Sequence, residues 1–63
     1  MSEELVLLKE YAESLGLIGK ELTHDDLVDL KQELRDAGEM GLANFISALG
    51  GPKELEDYLV EEE

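Results

Sequence analysis

An all-α fold, a small compact bundle of three to four short helices, is predicted by three observations. Apolar residues recur at helical spacing along most of the chain. Glycines fall just past the ends of these periodic segments, where helices stop. Alternating runs of β-branched residues and hairpin dipeptides, the signals of strands, are missing. The 63 residues suffice for one domain, expected over 1–60, with the acidic residues 61–63 as a disordered tail.

The first helix is expected from about Glu3 to Leu15, with Ser2 as N-cap and Gly16 just beyond its end. Leu5, Leu8, Ala12 and Leu15 share one face at i, i+3, i+7, i+10. Val6 and Leu7 project away from that face, so either this helix is central and buried on two sides or it leaves an apolar patch for a partner. Leu17 and Ile18, in the linker that follows, are expected to fold back on the core.

The second helix has the clearest start signal. Thr23 and Asp26 are spaced as a capping box, and Leu22 and Leu27 as the matching hydrophobic staple. Leu27, Leu30, Leu34 and Ala37 face inward, and Gly38 ends the helix. A third helix, about Met40 to Leu49, is expected to bury Leu42, Phe45, Ile46 and Leu49, with Gly41 weakening its first turn. Gly50-Gly51-Pro52 stops it and starts a fourth, about Pro52 to Val60, with Pro52 at the first helical position. The fourth helix offers Leu55, Tyr58 and Leu59 to the core.

Met40-Gly41-Leu42, with the later Glu-Leu-Glu-Asp-Tyr-Leu of residues 54–59, resembles the Met-Gly-Phe loop and closing Tyr-Leu of ubiquitin-associated domains over about 20 residues. The Met-Gly-Leu here is expected to begin a helix, one too short for that family, and no membership follows.

Charge restricts function more than any motif does. Seventeen Asp and Glu face five Lys and Arg, a formal net charge of −12. Such a chain repels itself when compact, and it opposes direct contact with nucleic-acid phosphates or an anionic membrane. Charge of this size is common in disordered chains, but 43% hydrophobic residues at helical spacing favour a folded domain. No apolar run approaches the ~20 residues that span a bilayer. The absence of cysteine and of a basic, apolar leader points to the cytoplasm.

Catalytic and metal chemistry find little support. His24, the one histidine, sits at the predicted first helical position, and no nucleophile, base and orienting group share a motif. Asp25 to Asp36 contains no glycine and lacks the alternation of a calcium loop, and no thiolate or imidazole set suits a transition metal. No enzyme activity, metal or cofactor is expected.

Charge is sorted around the second helix. At about 100° per residue, Lys31 and Arg35 share one flank, whereas Asp25, Asp26, Asp29, Glu33 and Asp36 lie within an arc of about 100° on the other. Surface helices gain about 0.2–0.5 kcal/mol from each opposite-charge pair at i, i+4. Here Lys31 has no acid in reach, and Arg35 can pair only forward to Glu39. The fourth helix repeats the theme weakly with Glu54, Asp57 and Glu61 on one stripe and Glu56 nearby.

Two readings follow. In the first, Asp25, Asp26, Asp29, Glu33, Asp36 and Glu39 replace the phosphates of DNA or RNA in the groove of a basic nucleic-acid-binding protein, the chain acting as a monomer or weak homodimer. In size and charge it then resembles small acidic phage inhibitors of restriction or CRISPR enzymes, a likeness without a shared motif. In the second, the acids serve solubility or high-salt adaptation, and a small helical adaptor binds through apolar surface around Val6 and Leu7.

Overall fold

The computed structural model describes residues 3–59. Four helices follow in order: α1 (Glu3–Ser14), α2 (His24–Asp36), α3 (Met40–Ser47) and α4 (Pro52–Leu59). No strand occurs among the described residues. The expected N-cap Ser2, the expected end of the fourth helix at Val60 and the expected tail at 61–63 lie outside the described residues.

Helix α1 stops because the chain turns left-handed at Gly16, with φ +74°. The Gly16 amide donates to the Glu13 carbonyl (3.0 Å) and the Leu17 amide to the Ala12 carbonyl (2.9 Å). This pair of bonds is a Schellman turn, which satisfies carbonyls the helix end leaves open. The turn seats Leu17, 4% exposed, on the core, and leaves Leu15 37% exposed. Leu15 was expected to extend the core face. It lies beyond Ser14, where the helical periodicity no longer governs direction.

The same device ends α2. Gly38 has φ +83°, its amide donates to the Arg35 carbonyl (3.0 Å), and the Glu39 amide donates to the Leu34 carbonyl (2.7 Å). Ala37 becomes the C-cap and is exposed, contrary to the inward position its spacing suggests. At the other end Thr23 has extended backbone and forms the capping box. The Asp26 amide donates to Thr23 Oγ1 (3.3 Å), and the Thr23 amide donates to Asp26 Oδ2 (3.0 Å).

Helix α3 is closed at its start by the Ala43 amide donating to the Glu39 carbonyl (3.1 Å), without a side-chain cap. Helix α4 begins at Pro52, and Gly51 accepts the first amides, from Glu54 (3.2 Å) and Leu55 (3.3 Å). A proline at the first helical position loses nothing, since its missing donor would have no partner there.

Helix α2 packs against all three other helices, most extensively against α3, while α1 and α4 pack on α2 and on each other. The centre of the bundle is therefore α2, rather than a first helix buried on two sides. Leu8 from α1, Leu30 and Leu34 from α2, Ile46 from α3 and Leu55 from α4 are fully enclosed. Ala12, Leu17, Leu22, Leu27, Leu42, Ala43 and Leu59 complete the buried cluster, and Leu5, Leu7, Tyr11, Ile18, Phe45 and Leu49 pack against its edge. Phe45 and Leu49, expected in the core, are only partly buried, and Tyr58 is 39% exposed. No polar or charged residue is buried among the described residues.

One long-range hydrogen bond ties α4 to the entrance of α2. The Leu22 amide donates to Glu56 Oε2 (2.9 Å), across 34 positions of sequence. Leu22 is the outer half of the hydrophobic staple and 5% exposed. The bond gives the partly buried Leu22 amide an acceptor that the helices do not supply.

Thr23→Ala removes the acceptor for the Asp26 amide. The expected loss is about 1 kcal/mol, lowering the melting temperature of a domain this small by about 4–8 °C. Thermal denaturation followed by circular dichroism checks it.

Candidate functional site

The acids of α2 divide by what they touch. Asp26 is a structural group. Its carboxylate accepts the Thr23 amide and lies 3.2 Å from Lys20 Nζ. The Thr23 amide, first, and then Lys20 hold its carboxyl below the usual carboxylate range against the opposing effect of burial. Asp36 accepts a hydrogen bond from Gln32 Nε2 (3.2 Å), one turn earlier on the same helix.

Asp25, Asp29 and Glu33 make no side-chain hydrogen bond or ion pair among the described residues. Asp25, Asp29 and Asp36 are exposed, and Glu33 is half-buried at the edge nearest the core. Glu39 is displaced from the row. It is the N-cap of α3, beyond the left-handed turn at Gly38, and its side chain caps no amide. The continuous stripe is thus Asp25, Asp29, Glu33 and Asp36, with Asp26 at its inner edge and Glu39 past its end.

Neutralisation by neighbouring bases is sparse. The sequence permits Lys9 with Glu13, Arg35 with Glu39, and Lys53 with Asp57 at i, i+4, yet none of these pairs comes within 4 Å. Lys31 and Arg35 stay on the flank opposite the acids, as the helical angle requires. Among the described residues the ion pair that does form, Lys20 with Asp26, joins the linker to the α2 N-terminus.

The acids of α4 have internal work that the sequence pattern does not reveal. Glu54 Oε2 accepts the Gly50 amide (2.7 Å), and Glu56 accepts the Leu22 amide. Helix N-termini favour carboxylates because their amides point outward unpaired. Asp57 is the α4 acid among the described residues with no such contact.

The alternative apolar surface is smaller than expected. Leu7 and Leu17 pack on the core, and Val6 (42% exposed) with Ile18 borders a shallow depression of about 150 Å³, also lined by Lys9, Glu10 and Glu13. A second cleft, of about 230 Å³, lies between α1, α3 and α4 and is lined by Glu4, Leu5, Gly41, Leu42, Phe45 and Tyr58. The sequence pattern does not announce this cleft, because its walls come from three helices. Its clearest trace in the sequence is a glycine, Gly41, inside a helical run.

Among the described residues no three His, Asp or Glu side chains converge to hold a metal ion, and no helix is long and apolar enough to cross a membrane. Comparison with protein-family models, curated proteins and solved structures finds no match for the chain.

Asp26→Asn keeps an acceptor for the Thr23 amide but removes the charge. A carboxylate whose pKa is lowered by folding stabilises the fold fully above its unfolded value, near 3.9. That contribution is lost as pH falls through the lower folded value. The variant is expected to be less stable than wild type at neutral pH, and the gap to close as pH falls below the unfolded value and through the lowered folded value. Urea denaturation of both proteins across that range measures it.

Proposed function

We propose that this protein is a non-enzymatic acidic inhibitor that binds a basic nucleic-acid-binding protein in the cytoplasm, presenting carboxylates where DNA or RNA presents phosphates. The observation that carries the reading is the sorting of charge on α2. Asp25, Asp29, Glu33 and Asp36 form a row without a neutralising base, while Lys31 and Arg35 stand on the other flank. Like charges at i, i+3 and i, i+4 disfavour a helix by a few tenths of a kcal/mol each. Asp36 also lies at the C-terminal end, where the helix dipole opposes an anion. Folding explains Asp26, Glu54 and Glu56, and the helix N-terminus favours Asp25 in the first turn, but Asp29, Glu33 and Asp36 are left without a structural reason.

The row spans about 17 Å along the helix axis. Duplex DNA carries one charge per ~1.7 Å of its axis, so a groove shaped for it offers several cationic subsites over that length. The two clefts described among these residues are below the ~300 Å³ typical of small-molecule sites, which favours a protein partner over a substrate. The small acidic phage inhibitors of CRISPR and restriction enzymes are the nearest functional likeness, by size and charge alone.

Binding to a panel of basic nucleic-acid-binding proteins, with duplex DNA as competitor, tests the reading. A true partner is displaced by DNA and released by salt, its affinity falling by about tenfold or more between about 50 and 200 mM. Asp29→Lys combined with Glu33→Lys is expected to abolish that binding with the helical circular dichroism unchanged. Equal binding by wild type and the double variant removes the row from the interface.

A further inference from the structure

We propose that the cleft between α1, α3 and α4 receives one large apolar side chain of a cationic protein partner. The inference rests on the reading of α2 for the partner's charge, and on the cleft itself for the anchor.

The cleft is built like an anchor pocket. Leu5, Leu42, Phe45 and Tyr58 give it apolar walls, and Phe45 meets Tyr58 edge to face, with ring centres 5.1 Å apart and an interplanar angle of 85°. This arrangement fixes the two rings relative to each other. A space of about 230 Å³ is too small for a typical small-molecule ligand and large enough for one aromatic or long aliphatic side chain. Interfaces commonly place a single aromatic or aliphatic anchor in such a desolvated pocket.

Gly41 is the independent observation. It is helical, its φ is not positive, and a Cβ built on it meets nothing within 4 Å. Neither backbone conformation nor crowding inside the chain calls for glycine there, yet glycine weakens a helix relative to alanine. A glycine with no internal reason, in the wall of an apolar cleft, keeps the backbone open to close approach from outside.

Charge selects the occupant. The lining contains no Lys, Arg or His, and its one charged residue is Glu4. Glu3 precedes Glu4, Asp57 precedes Tyr58, and Glu39 is the N-cap residue of α3, two residues before Gly41. A second copy of this chain would bring a further net charge of −12 to the same rim. An apolar side chain flanked by Lys or Arg meets both the walls and the field around them.

Three peptides serve as probes against isotope-labelled protein by amide chemical-shift titration: Lys-Lys-Trp-Lys-Lys, Lys-Lys-Ser-Lys-Lys and Glu-Glu-Trp-Glu-Glu. The first is expected to shift Leu5, Gly41, Leu42, Phe45 and Tyr58 and to bind at least tenfold tighter than the other two. Gly41→Leu, which fills the cleft, is expected to remove that tenfold advantage, whereas Gly41→Ala keeps or raises the melting temperature. Equal binding of the Trp and Ser peptides, with shifts confined to α2, overturns the cleft and leaves the acidic row standing. Equal binding of the two Trp peptides overturns the cationic occupant. A lowered melting temperature for Gly41→Ala gives the glycine a role in the fold and overturns the inference. Dimerisation abolished by Gly41→Leu makes a second copy the occupant instead. A tenfold gain in affinity on removing residues 60–63 assigns the cleft to the chain's own end. The Asp29→Lys, Glu33→Lys protein leaves every lining residue in place, so loss of function there and loss at Gly41 report separately on the two readings.

Discussion

Burial of one leucine-rich face of α2 is the constraint on which the rest of the structure depends. The chain must hold together against a net charge of −12 with a small core. It does so by packing α1, α3 and α4 around Leu27, Leu30 and Leu34, and by admitting no polar side chain to the interior among the described residues. Every charged group among the described residues therefore lies at the surface, where water screens repulsion and where a charge can be moved around a helix at little energetic cost. The radius of gyration of 10.4 Å is that of a compact chain of this length.

Some carboxylates join in holding the fold. Asp26 closes the capping box and meets Lys20, Glu54 receives the Gly50 amide, and Glu56 reaches from α4 to the Leu22 amide. All three receive backbone amides at or beside helix N-termini, the positions where negative charge is favoured. Asp25, Asp29 and Glu33 have no such partner, and Asp36 has only Gln32. Asp25, in the first turn, is favoured by the helix dipole, so the acids separate into a set that the fold uses or favours and a set, Asp29, Glu33 and Asp36, that it tolerates. The second set lies on the solvent side of the helix that organises the core, so it is held on a rigid element. Rigid placement is what a phosphate substitute needs and what a merely solvating charge does not.

Much of the fold was legible in the sequence because local chemistry governs it. Thr23 and Asp26 at capping-box spacing, Gly16 and Gly38 past the helix ends, and Pro52 at the start of α4 each act within a few residues of themselves. The periodicity of Leu8, Leu30, Leu34, Ile46 and Leu55 placed the core. Leu15 and Ala37 were misplaced because periodicity was extended past the left-handed turns that break it. The centrality of α2 was hidden, since packing order depends on how whole helices meet. Of the candidate acids, the structural role of Asp26 was readable from its spacing. The tertiary bond of Glu56 to Leu22 was not, because 34 residues separate the partners. The cleft at Gly41 escaped for the same reason, its walls being brought together from three helices.

Position, rather than total charge, is the central claim for the acids of α2. The most direct test compares two variants that each remove two negative charges. One is Asp29→Asn with Glu33→Gln on α2, and the other is Glu10→Gln with Glu13→Gln on α1. Affinity for a DNA-displaceable basic partner, measured at one salt concentration, is predicted to fall at least tenfold for the α2 pair and to stay within about twofold of wild type for the α1 pair. Equal losses for both pairs would mean that net charge alone attracts the partner, and would contradict a specific carboxylate row.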